Sequence, residues 1–152
     1  MPIARSVPVR LVLDTNTVIS GLLWHGKPGE LIDLALAGSV TLISAPSLLE
    51  ELQGVLAREK FAQHLAARGQ SATTIFDGYS TLVELIKLAV IAPVILADPS
   101  DDQVLACALG GKADLIVSGD RHLRDLGGAY RGIRIVNAAD AHELLGNPLR
   151  QV

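Results

Sequence analysis

The chain has 152 residues with 13 basic and 16 acidic side chains, a net charge of −3, which suits one domain with a full hydrophobic core and provides no overall field to draw in a polyanion. Apolar residues at 49% and charged residues at 19% exclude a disordered chain, and aromatics at 3% leave the core to Leu, Val, Ile and Ala. Cys107, the sole cysteine, excludes an intrachain disulfide, and MPIARSVPVR at the start has no long apolar core, so neither a secretory signal nor a disulfide scaffold is expected.

In chain order, Pro2 to Pro8 reads as a lead-in and Arg10–Leu13 as the first strand, ending at Asp14. Val18, Ile19, Leu22 and Leu23 recur at helical spacing, so a short helix follows Asn16 and stops near Trp24-His25-Gly26. Pro28 lies near the start of the next helix, whose apolar residues run from Leu31 to Leu36 and which Gly38 ends. Val40–Ile43 is the second strand. Ser44 or Ser47 is expected to cap the following helix, with Pro46 in its first turn and Leu48, Leu49, Leu52, Val55 and Leu56 as its buried stripe.

Lys60–Ala67 reads as a further helix broken by Gly69, and Ser71 opens a long one with Leu82, Leu85, Ile86 and Ala89 on its inner face. The third strand is expected at Ala92–Leu96, with Pro93 tolerated near its start. A loop from Asp98 enters a helix from Asp101 to about Leu109, closed by Gly110-Gly111, and Cys107 falls inside it as a small buried hydrophobe. Leu115–Val117 is the fourth strand, with Ser118-Gly119-Asp120 as its exit and a short helix to about Leu126. Ile133–Val136 is the fifth strand, and Asn137 caps a final helix ending near Gly146. Strands alternating with helices predict a three-layer α/β/α sandwich around a mainly parallel five-stranded sheet, one domain over 1–152 with a core of about 9–145. No run of about 18 apolar residues exists to span a membrane, and a cytoplasmic location is expected.

Four acids follow strands or sit on the helices after them: Asp14, Glu51, Asp102 and Asp120. In a right-handed parallel sheet these places open toward one edge, where such sheets hold their ligands. A single carboxylate there can cap the next helix, meet a basic partner or bind a metal. A group of four needs a cation to stay ionised together, and Mg²⁺ or Mn²⁺ is the simplest, being partial to oxygen ligands. His25, His64, His122 and His142 are scattered without zinc-ligand spacing and read as surface or packing residues.

Four blocks then resemble the PIN-domain family, the metal-dependent ribonuclease fold of many bacterial toxin–antitoxin toxins: LVLDTNTVISGLL, SAPSLLEELQGVL, DPSDDQVLACAL and ADLIVSGDRHLRDL. The resemblance runs from about Val9 to Leu145. It implies that Asp14 is the first acidic ligand and that Asn16 orients it or a metal-bound water. Glu51 before Leu52 then matches the second acid, with Glu50 a solvated neighbour. Asp102 before Leu105 and Ala106 matches the third, with Asp101 and Asp98 as second choices. Asp120 matches the fourth, with Ser118 hydrogen-bonding the acidic cluster; Asp114, at the opposite edge, is structural. The implied activity is Mg²⁺- or Mn²⁺-dependent hydrolysis of RNA phosphodiesters. The implied partners are an RNA substrate, a cognate antitoxin and a second copy of the chain. Arg58, Lys60, Arg121 and Arg124 are candidate contacts to the RNA backbone, with surface solvation as the plainer reading.

Two other readings stay open. Phosphatases resembling haloacid dehalogenases also place an Asp after strand one and a late GDxxxxD element, which Gly119-Asp120 through Asp125 matches. Their first motif carries a second acid where this chain has Asn16, and Glu51 and Asp102 are left unexplained. The third reading is a non-enzymatic module that binds RNA or protein.

Overall fold

The computed structural model describes residues 8–92 and 99–146. The chain order is β1 (Val9–Leu13), α1 (Thr15–Trp24), α2 (Gly26–Leu36), β2 (Val40–Ser44), α3 (Pro46–Leu56), α4 (Glu59–Ala66), α5 (Ala72–Leu82), β3 (Glu84–Leu85), α6 (Pro99–Gly110), β4 (Leu115–Val117), α7 (Arg121–Arg124), β5 (Ala129–Tyr130), β6 (Ile133–Val136) and α8 (Ala138–Gly146). The strands form one sheet in the order β3-β2-β1-β4-β6-β5, parallel except for the β5–β6 hairpin.

Strand side chains alternate between two cores, as period-two geometry requires. Leu11, Leu13, Val40, Leu42, Leu115 and Val117 face one side, with Ile19, Leu31, Leu52, Leu65 and Ala141 from the helices over them. Val12, Ile43, Ile116 and Ile135 face the other, under Val104, Leu105, Cys107, Ala108 and Leu123. Helices therefore cover both faces, and the expected three-layer sandwich is what forms. Cys107 is fully buried, and burial pushes its thiol up to about 12. Among the described residues no helix is long and apolar enough to cross a membrane.

Among the described residues the sheet has six strands rather than the expected five. The short β5 pairs antiparallel with β6, with Arg131 and Gly132 both at positive φ in the connection. The strand beside β2 is Glu84–Leu85, paired with Ile43 and Ser44, where the sequence pattern reads as helix. The strand expected at Ala92–Leu96 lies, over 93–96, outside the described residues. The helix from Ser71 accordingly stops at Leu82, with Val83 already extended. Leu82, Leu85, Ile86 and Ala89 fit a helical period, but a short apolar run fits a strand equally well, and Leu85 is 52% exposed at the sheet edge. Neither Ser44 nor Ser47 caps α3; the N-cap is Ala45, with no side-chain cap bond, and Pro46 opens the helix. Ser71 and Asn137 do cap, accepting the N–H of Thr74 and of Asp140. At the opposite edge of the sheet Asp114 exchanges bonds with the Arg10 backbone, and the Arg10 side chain reaches the Gly111 carbonyl at 2.9 Å and pairs with Glu84.

Candidate metal centre

β1 and β4 are neighbours in the sheet, yet the chain leaves β1 toward β2 and leaves β4 toward β6. The crevice above their carboxyl ends is where an open α/β sheet binds its ligand. Asp14 follows β1 there, and its N–H donates to the Val117 carbonyl at 3.1 Å, extending the parallel pairing. Its side chain is buried, at 4% exposure. Oδ1 accepts the Thr17 N–H at 2.8 Å, capping α1, and Oδ2 accepts the Ser118 hydroxyl. Capping and site membership, alternatives in the sequence, thus belong to the same carboxylate.

Ser118 is wholly buried. Its backbone N–H donates to the Val136 carbonyl at 2.9 Å, and its Oγ accepts the Asp120 N–H at 2.8 Å while donating to Asp14. One hydroxyl therefore fixes the acid of β1 against the loop that carries the acid of β4. Asp120 in turn caps α7, accepting the His122 N–H at 2.7 Å.

A cavity of about 40 Å³ lies among Asp14, Thr15, Asn16, Glu51, Asp101, Val104 and Asp120. Glu51 enters from the second turn of α3 and is half-buried, whereas Glu50 is exposed. From α6 the residue on the cavity is Asp101, at 6% exposure; Asp102 is half-buried and is not among the lining residues. One step along a helix turns the side chain by about 100°, so only one of two consecutive acids faces a given cavity. The cavity thus brings together Asp14, Asn16, Glu51 and Asp120, with Ser118 bonded to Asp14 and the Asp120 N–H, and adds Asp101, while Asp102 stands beside it off the lining. Asp98 lies outside the described residues.

His122, read from the sequence as surface or packing, also belongs here. Its Nδ1 is 3.5 Å from Asp120 Oδ1 and 3.7 Å from Asp101 Oδ2. The signal was its position two residues after the acid that caps its own helix, too short a spacing for a zinc motif. The proposed RNA contacts are less concentrated: Arg121 is 91% exposed with Nε 3.8 Å from Asp125, Lys60 Nζ sits 4.8 Å over the Phe61 ring, and the Arg124 side chain lies outside the described part. A second, larger cavity of about 320 Å³ shares Asn16 and Asp120 with the first and continues along Thr17, Ser20, Pro28, Gly119 and Ala138.

The donor set fits a hard divalent cation. Carboxylates from four elements converge on a space of a few water volumes, and no basic side chain lines it among the described residues.

The family model described as PIN domain matches residues 10–122. Among solved structures, a chain from the crystal structure of VapBC2 from Rickettsia felis bound to a DNA fragment from their promoter superposes with a TM-score of 0.57 at 17% identity, covering 85% of this chain and 98% of that one. No curated protein is found to match.

Proposed function

Since the chain belongs to the PIN-domain family, we propose that it is a Mg²⁺- or Mn²⁺-dependent endoribonuclease and the toxin component of a toxin–antitoxin pair. The observation that carries this reading is the convergence of Asp14, Glu51, Asp101 and Asp120 on one small cavity at the β1–β4 crevice. Asp14, Asp101 and Asp120 are the ligands, and Ser118 sets the first and last of them in register. A divalent ion held by these three carboxylates would supply Lewis-acid polarisation of the phosphate, activation of water and charge stabilisation for the leaving oxygen. Glu51, half-buried at the rim, takes the proton of the attacking water. Asn16, on both cavities, donates from its amide to the substrate backbone, and the larger cavity receives the adjoining nucleotide. No side chain acts as nucleophile; the Ser118 hydroxyl is committed to Asp14.

The partners in this reading are single-stranded RNA, a small antitoxin protein and a second copy of the chain, in the cytoplasm. Its support is the family itself and the fold shared with a chain of VapBC2, itself solved on promoter DNA. Trp24, 55% exposed and edge-on to Phe61 at 6.0 Å, offers an apolar surface for protein contact. The phosphatase reading loses its second motif, because Asp125 is 68% exposed beside Arg121 and does not line the cavity.

The test is cleavage of labelled single-stranded RNA with Mg²⁺, with Mn²⁺ and with chelator. Cleavage that needs the metal and vanishes in Asp14→Asn and Asp120→Asn is expected. Retained cleavage in both variants overturns the reading. Metal-free cleavage, or hydrolysis of small phosphate esters through Asp14 alone, would do the same.

A further inference from the structure

We propose that His122 is a nitrogen ligand of the ion held at the Asp101–Asp120 side of the cavity, which makes the centre a mixed nitrogen–oxygen site that prefers Mn²⁺ to Mg²⁺. The proposal rests on the metal-centre reading and goes beyond its carboxylate ligands.

The geometry comes from three elements of local structure. The Asp120 cap fixes the start of α7, and the bond it makes is to the backbone N–H of His122, so it does not consume the imidazole. Leu123, fully buried in the core under α6, pins the helix against the sheet. The imidazole is thereby turned toward α6, where Asp101 stands in the first turn. One donor atom from each of Asp101, Asp120 and His122 lies within 4.8 Å of the other two. Ligands on an octahedral ion with bonds of about 2.1 Å sit about 3.0 Å apart when adjacent and about 4.2 Å apart when opposite. The 3.5 and 3.7 Å separations around Nδ1 fall between these limits, so an ion is reached with shifts of a fraction of an ångström. The His122 side chain is 49% exposed, so it is free to make that adjustment.

The chemistry follows from the donor. Carboxylate and water oxygens suit Mg²⁺ and Mn²⁺ alike, but an imidazole nitrogen favours the transition ion, with its greater affinity for nitrogen ligands. Mg²⁺ also gives up its water reluctantly and demands near-ideal octahedral angles. Replacing the imidazole therefore lowers Mn²⁺ affinity and leaves Mg²⁺ affinity nearly as it was.

The experiment is pulsed electron paramagnetic resonance on the protein loaded with Mn²⁺, beside calorimetric titrations with Mn²⁺ and Mg²⁺. The parent protein is expected to show nitrogen coupling from a directly bound imidazole, and His122→Asn to lose it while still holding Mn²⁺. The same substitution should weaken Mn²⁺ binding about tenfold with little change for Mg²⁺. Mn²⁺ bound without nitrogen coupling, or coupling that survives in His122→Asn, overturns the role of His122 and leaves the carboxylate centre standing. No Mn²⁺ binding by the parent protein overturns both. Circular dichroism of the variant checks that the exposed position has not disturbed the fold.

Discussion

Ser118 carries no charge, yet the arrangement of the acids depends on it. Its hydroxyl donates to Asp14 and accepts from the Asp120 N–H, and it is wholly buried. Ser118→Ala leaves a buried carboxylate oxygen and a backbone N–H each short of a partner, which should cost about 1–3 kcal/mol in denaturant unfolding. It should also lower RNA cleavage by about tenfold to a hundredfold, as loss of a group that orients a metal ligand does. Cleavage unchanged from the parent would mean that the two acids hold their places without the serine. At this scale the sequence was legible where one acid of a block follows the carboxyl end of its strand: Asp14 comes directly after β1 and Asp120 three residues after β4, and both reach the cavity. Asp101 and Asp102 are adjacent, and which of them faces inward depends on the rotation of α6 against β4, a tertiary fact absent from local pattern. His122 escaped for a similar reason: its neighbour Asp101 is twenty-one positions earlier in the chain.

Among the elements, three helices end in the same way and one of them breaks the usual rule. After α2 the Ser39 N–H returns to the Leu34 carbonyl at 2.9 Å, with Gly38 at φ +80°. After α4 the Gln70 N–H returns to Leu65 at 2.9 Å, with Gly69 at +70°. After α6 the Ala113 N–H returns to Ala108 at 2.9 Å, but the left-handed position is held by Lys112 at φ +53°. Glycine suits this place because it lacks the Cβ that crowds the backbone there. Lys112→Gly should therefore raise the unfolding free energy by about 0.5–1 kcal/mol, read from the urea midpoint at constant slope. A lower midpoint would mean that the lysine side chain contributes more than its backbone costs. The sequence places the end of the helix at Gly110-Gly111, where α6 does end, and these glycines have a further task. A Cβ on Gly111 would come within 2.8 Å of Ile43 Cγ2, and one on Gly110 would strike the Lys87 carbonyl, so both permit close approach of α6 to the segment after β3. Helix ends marked by Gly38 and Gly69 were legible because a lone glycine after an apolar period has one common use. A glycine pair has two, and β3 is too short to carry a periodic signal at all.

At the scale of the whole molecule, the sheet gathers acids that the chain keeps far apart. The β1–β4 pairing joins Leu13 to Val117 and thereby brings Asp14 beside the loop of Ser118 and Asp120. The carboxyl-end placement of these acids was readable from strand–helix alternation, because right-handed crossovers leave that edge as the common one. An ion on Asp14, Asp101 and Asp120 would tie β1, α6 and the β4–α7 loop together in the folded state alone. Millimolar Mn²⁺ or Mg²⁺ should therefore stabilise the protein by mass action, by about 2.7 kcal/mol when the free ion is a hundredfold above its dissociation constant. For a domain of this size that is a rise of roughly 5–10 °C in the unfolding midpoint. Without metal, Asp120→Asn should leave the midpoint unchanged or slightly higher, because one like charge leaves a crowded cavity. With metal, the same variant should lose most of the rise. A parent melting curve indifferent to either ion up to saturating concentrations would mean that the acids are held by their own hydrogen bonds and caps, with no centre formed.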